Sequence, residues 1–112
     1  MAENGEITVL IADDHEVVRE GLRLALLRSS HIRVVGEAPD GASALVEVFR
    51  LCPDVVLLDV QLPDIDGFQV AQRLAHAVPM PTTILISGRE AAEYGGAVEI
   101  AGTGPSARRA AY

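Results

Sequence analysis

Three acids in this chain stand where carboxylates do chemistry: Asp13, Asp14 and Asp59. Asp59 closes the apolar run Val55-Val56-Leu57-Leu58, which is too short and too β-branched for a helix and reads as a strand buried on both faces. Ligands of open α/β sheets bind at such C-terminal strand ends, and Pro63 makes a loop just beyond the carboxylate. A carboxylate there either caps the following loop or does chemistry. Asp13-Asp14 end a second β-branched run, Ile7 to Ala12. If the two strands are neighbours in one parallel sheet, three carboxylates meet, repel and raise one another's pKa values, so the cluster calls for a cation. Mg2+ fits better than Ca2+, because few protein ligands leave room for waters and a phosphate. Asp13-Asp14 can equally begin the next helix, where acids favour the N-terminal dipole, and the two readings are compatible.

The elements that must position these acids follow from the apolar periodicity. His15 to Arg28 carries Val18, Leu22, Ala25 and Leu26 on one helical face. Ile32 to Ala38 is a short strand, and Asp40 N-caps a helix marked by Leu45, Val48, Phe49 and Cys52 and closed by Pro53. Asp66 caps a third helix whose buried stripe is Val70, Ala71, Leu74 and Val78. Thr82 to Ile86 is a fourth strand, with Ser87 at its C-terminal end. Strands alternating with helices through short loops give a parallel sheet with right-handed crossovers. Asp13, Asp14, Asp59 and Ser87 then share one edge of that sheet. There is no Gly-rich phosphate loop, so nucleotide binding has little support.

Composition narrows the function classes. The chain has 112 residues, enough for one core, and a net charge of -7, which argues against a nucleic-acid surface. All nine basic residues are Arg. The lone Cys52 sits in an apolar helical pattern and reads as a small core residue in a reduced, cytoplasmic setting. His15, His31 and His76 lack ligand spacing and read as solvated. No signal peptide or membrane-length apolar run is visible.

Ile11-Ala12-Asp13-Asp14-His15, the run Leu57 to Gly67 containing Asp59 and Pro63, and Leu85-Ile86-Ser87 together resemble the receiver domain of two-component response regulators. Asp13 to Leu22 is similar to the LuxR-type (NarL/FixJ) transcriptional subfamily in particular. The resemblance implies a flavodoxin-like, doubly wound parallel sheet in the order 2-1-3-4-5. It implies that Asp59 accepts a phosphoryl group from a sensor histidine kinase, that Asp14, Asp59, the Gln61 backbone carbonyl and Asp13 through water hold Mg2+, and that Ser87 hydrogen-bonds a phosphoryl oxygen. Such a module takes part in its own phosphorylation and is not a turnover enzyme.

The family also has a fifth strand ending in a pocket Lys, followed by a fifth helix, and the sequence departs from it there. Arg89 to Ala101 reads as a fourth helix weakened by Gly95-Gly96, and no apolar strand is legible in residues 103–112. Arg109 falls about where the Lys would be, though its planar fork is not an equivalent group. The expected organisation is therefore a tail (1–6), a C-terminally incomplete receiver (7–102) of order 2-1-3-4, and an irregular tail (103–112). The fourth strand becomes an open edge, and the missing helix leaves part of one sheet face uncovered, a surface suited to a homodimer.

Phosphorelay signalling, originally controlling transcription, is the leading function, with no nucleic-acid or membrane binding by this chain. The alternative is a truncated, non-signalling interaction module that keeps the fold without the switch. An Asp-nucleophile phosphatase is weaker, because such enzymes need a second acid two residues after the nucleophile and Gln61 stands there.

Overall fold

The computed structural model describes residues 5–86, 98–101 and 108–110. The β-branched runs form the strands β1 (Ile7–Ala12), β2 (Ile32–Ala38), β3 (Val55–Asp59) and β4 (Thr82–Ile86). Between them lie the helices α1 (Glu16–Leu26), α2 (Gly41–Leu51) and α3 (Gly67–Leu74). The four strands are parallel, as the alternation of strand and helix implies, and ordered β2-β1-β3-β4, as the resemblance implied. This is the flavodoxin-like arrangement.

The core lies where α2 and α3 meet the sheet. Leu10, Val56 and Leu58 from the strands are fully buried with Ala44 and Val48 of α2 and Val70, Ala71 and Leu74 of α3. Each fully buried Val or Leu side chain contributes about 1.5–3 kcal/mol. The opposite face is covered less well. Val9 and Ile11 of β1 are buried, but Val55 and Leu57 of β3 and Ile84 and Ile86 of β4 are only half-buried. No residue of α1 is buried. Among the described residues, no helix is long and apolar enough to cross a membrane.

Several sequence expectations are corrected by where the elements stop. Cys52 is exposed, not core. α2 ends at Leu51 and the chain turns left-handed at Cys52 (φ 47°), so the helical spacing that pointed Cys52 inward no longer applies. Phe49 is exposed as well, and Ala44 takes the inner position. Val78, expected on the buried stripe of α3, is 93% exposed, because the helix ends at Leu74 and the following turn buries Ala77 instead.

The largest departure is at the sheet edge. Val98–Ala101, expected to lie in a helix, is a strand (β5) antiparallel to β4, and Arg108–Ala110 is a further strand (β6) antiparallel to β5. The edge of β4 is therefore paired rather than open. Val98 and Ile100 are β-branched and suit a pleated strand, and an unpaired edge offers backbone groups that a second segment can satisfy. The parallel fifth strand of the family pattern is replaced by an antiparallel one. Residues 87–97, the rest of the expected fourth helix, lie outside the described residues.

One core group is left without a partner. Thr83 is fully buried and its Oγ1 makes no hydrogen bond among the described residues. Thr83→Val keeps the branched shape and removes an unsatisfied hydroxyl, so unfolding should become harder by about 1 kcal/mol. Urea melts of the two proteins check this.

Candidate functional site

Register brings the acids together. β1 and β3 are neighbours with Ala12 beside Leu58, so the residues that follow, Asp13 and Asp59, emerge side by side at the C-terminal ends. Both are buried, at 4% and 7% exposure. Asp14 is more open, and ligand atoms of Asp13, Asp14, His15 and Asp59 all lie within 4.8 Å of one another.

The two acids bounding β3 have opposite fates. The Asp54 carboxylate accepts hydrogen bonds from Thr8 N (2.9 Å) and Thr8 Oγ1 (3.1 Å), joining the starts of β1 and β3. The Thr8 amide holds its pKa below the usual carboxylate range. Asp59 is pushed up to about 6. Burial is the main cause; the Gln61 amide opposes it, the charges of Asp13 and Asp14 add to it, and His15 offsets part of it. Asp54 is structural; Asp59 is held in a state that a cation would relieve.

Gln61 N donates to Asp59 Oδ1 at 3.1 Å, which fixes one carboxylate oxygen and leaves Oδ2 for another partner. The loop from Val60 to Asp66 closes through Gly67 N donating to Val60 O at 2.7 Å. Gly67 is required there: a Cβ would collide with the Asp59 carbonyl oxygen and lie 2.8 Å from Val60 Cα. On the β1 side, His15 N donates to Asp13 Oδ1 at 2.8 Å, and Arg19 donates to the Asp13 carbonyl. Glu37 on β2 holds Arg19 Nε (3.2 Å) and Arg23 (2.8 Å), so α1 is braced against the acidic loop.

His15 is where the sequence reading is incomplete. Its side chain is 66% exposed, yet Nδ1 lies 3.1 Å from Asp13 Oδ1 and 2.9 Å from Asp14 Oδ1. The hydrogen bond to Asp13 and the charges of Asp14 and Asp13 raise its pKa. The adjacency Asp13-Asp14-His15 was the available signal. Asp64, whose carboxylate accepts from Gly41 N (2.7 Å) and Ala42 N (2.9 Å), had no comparable signal, because its partners are 22 and 23 residues away.

Ser87 lies outside the described residues. Its chain neighbour Ile86 pairs with Asp59, and Ile86 O accepts from Val60 N, so β4 delivers the chain beside the carboxylates. Arg109 is on β6, paired with Glu99 of β5. At about 4.8 Å per strand, its backbone is roughly 14 Å from β3. It does not occupy the strand next to β4, where the family's Lys stands.

The donor set fits a hard divalent cation: three clustered carboxylates, a raised pKa on buried Asp59, and a backbone carbonyl at Gln61 in the adjoining loop. The doubly wound α/β sheet carries this acidic pocket at the C-terminal ends of its strands. Residues 9–104 match the model of the response regulator receiver domain, and the chain belongs to that family.

Its relatives place that module in several contexts. The chain is 47% identical over 79 residues to a protein-glutamate methylesterase/protein-glutamine glutaminase of Syntrophus aciditrophicus, covering 70% of this chain and 23% of that protein. It is 43% identical over 81 residues to the transcriptional regulatory protein NarL of Mycobacterium tuberculosis, covering 72% of this chain and 37% of the relative. The chain thus spans well under half of either protein. Among solved structures, the NarL receiver domain from M. tuberculosis superposes with a TM-score of 0.64 at 42% identity, covering 71% of this chain and 63% of that one. The response regulator domain of Thermotoga maritima CheB gives 0.70 at 28% identity, covering 76% and 63%.

Proposed function

We propose that this receiver accepts a phosphoryl group on Asp59 from a phosphohistidine of a sensor kinase, in a Mg2+-dependent phosphorelay that controls transcription. The observation that carries the reading is the convergence of Asp13, Asp14 and Asp59 at the buried ends of two neighbouring strands. Asp14, Asp59 and the Gln61 carbonyl would hold the ion, with Asp13 acting through water. Bound Mg2+ supplies the charge that lets an anionic carboxylate approach an anionic phosphoryl group.

The chain's own residues do the rest. Gln61 N–H orients Asp59 through Oδ1, so Oδ2 attacks phosphorus while the P–N bond to the kinase imidazole breaks and the electron pair returns to the ring. Ser87, the residue that follows β4 in the sequence, donates to a phosphoryl oxygen. The added charge and acceptor oxygens bias the loop after β4. His15, poised over Asp13 and Asp14, offsets their charge when no cation is bound.

Incubation with an autophosphorylated sensor kinase or acetyl phosphate, with Mg2+, should add one phosphoryl mass to the intact protein. The gain should vanish with EDTA or in Asp59→Asn. No gain under any of these donors would sink the proposal.

A non-signalling interaction module is the second reading, and specific observations favour it. The 112 residues include no Lys, and β5 runs antiparallel to β4. Phosphorylation that leaves shape and oligomeric state unchanged in sedimentation would select it. The half-buried strip of Val55, Leu57, Ile84 and Ile86 is the surface for homodimer contact in either case.

A further inference from the structure

We infer that Asp64 is a positioning residue for the metal-binding loop, a clamp that fixes the Gln61 segment by fastening it to the N-terminus of α2. The inference rests on the reading of the pocket given above, and it assigns a task to a residue that is neither ligand nor nucleophile.

Val60 N–H ties the start of the loop after Asp59 to Ile86 O of β4. Three further points hold the loop between there and α3. Gln61 N–H is bonded to Asp59 Oδ1, and Gly67 N–H is bonded to Val60 O. Both of these lie within the loop and its own flanks. The third is the only one of the three that reaches a different element: the Asp64 oxygens take Gly41 N–H and Ala42 N–H separately, at 2.7 and 2.9 Å. Two bonds from two oxygens to consecutive amides fix orientation as well as distance, which one bond does not. A carboxylate is also favoured there by the positive end of the helix.

The packing around the clamp is tight. A Cβ on Gly41 would lie 3.2 Å from Asp64 Oδ1, 3.2 Å from Ile65 Cγ1 and 3.0 Å from Val70 Cγ2. Gly41 therefore lets the loop, α2 and α3 approach at one point. Helix capping alone does not need Asp64, because Asp40 already serves as the N-cap of α2, accepting from Ser43 N at 2.7 Å. With the helix capped by its own residue, the bonds from Asp64 chiefly restrain the loop. That loop carries the Gln61 carbonyl and amide, on which both ion binding and the orientation of Asp59 depend.

Two variants of the full chain separate loop positioning from helix stability. Asp64→Ala removes the clamp; Asp40→Ala removes the local cap and leaves the clamp. Amide hydrogen exchange is read without Mg2+, and MgCl2 affinity is read by calorimetry on the folded proteins. Asp64→Ala is expected to speed exchange at Gln61 as well as at Gly41 and Ala42, and to weaken Mg2+ binding about 10-fold, as loss of a group supporting a metal ligand does. Asp40→Ala is expected to speed exchange at Ser43 and leave Gln61 and Mg2+ affinity unchanged.

Unchanged Gln61 exchange in Asp64→Ala overturns the inference, and so does an equal response of Gln61 to Asp40→Ala. If Asp64→Ala does not fold, Asp64→Asn decides on the same signal: it keeps an acceptor for Gly41 but sets an amide donor against Ala42 N. A wild-type chain that binds no Mg2+ would count against the phosphorelay reading, while the Gln61 exchange comparison would still decide the clamp.

Discussion

Asp59→Asn should make the cation-free protein more stable at pH 7 while abolishing phosphoryl uptake. The folded-state pKa of Asp59 is about 6, above its ordinary 3.8, mainly because the carboxylate is buried. A raised pKa means that folding favours the protonated form. The stability this confers is fully present below 3.8 and is lost as pH rises through 6. At pH 7 the ionised side chain therefore costs on the order of 2 kcal/mol, and an amide, neutral at every pH, does not. In a domain of this size that is a rise in Tm of about 10 °C. The gap between variant and wild type should be large at pH 7.5 and shrink towards pH 4, as melts at the two pH values will show. A variant less stable than wild type at pH 7.5 would mean that Asp59 is a structural carboxylate like Asp54. The opposite movements of stability and activity mark a site that stores strain for use.

Among the described glycines, Gly67→Ala should add the most damaging methyl group. Its Cβ would meet the Asp59 carbonyl oxygen, the Asp59 carbonyl carbon at 3.0 Å and Val60 Cα at 2.8 Å. These are backbone atoms, so no rotamer change relieves the clash, and relief means moving the strand end that carries Asp59. A loss of about 3 kcal/mol or more is expected, with phosphoryl uptake falling even under conditions where the variant stays folded. Gly21 is the control. It lies inside α1 with nothing within 4 Å of an added Cβ, so Gly21→Ala should raise stability by about 0.5–1 kcal/mol through helix propensity alone. Denaturant midpoints of the pair should move in opposite directions. Similar losses in both would mean that the Val60–Gly67 closure is not what constrains residue 67.

The acidic site was legible because it depends on local signals that combine simply. Two β-branched runs end in acids, parallel pairing sets their ends level, and repulsion among the carboxylates follows. Whether Asp59 caps the following loop or does chemistry was not legible from β3 alone, since a carboxylate at a strand end serves either purpose. The edge of the sheet was misread for a related reason. Val98 to Ala101 carries too few residues to declare a period, and its partner, β4, is more than ten residues away in the sequence. Cys52 and Val78 show that an apolar stripe extrapolates correctly only as far as the helix does. Asp64 shows the limit most plainly: its role is written in backbone amides of another element, which leave no mark on residue type.

The central claim is that Asp13, Asp14 and Asp59 form a working Mg2+-dependent phosphoacceptor pocket, although the chain contains no Lys and its fifth strand is antiparallel. A thermal melt at pH 7.5, with and without Mg2+ plus beryllofluoride, a mimic of the aspartyl phosphate, tests it most directly. At about 100 times Kd the ligand should stabilise the native state by roughly 2.7 kcal/mol. The expected result is a clear upward shift for the wild type that disappears in Asp59→Asn. A cooperative melt that the ligand does not move would contradict the claim, leaving a folded receiver whose pocket does not bind.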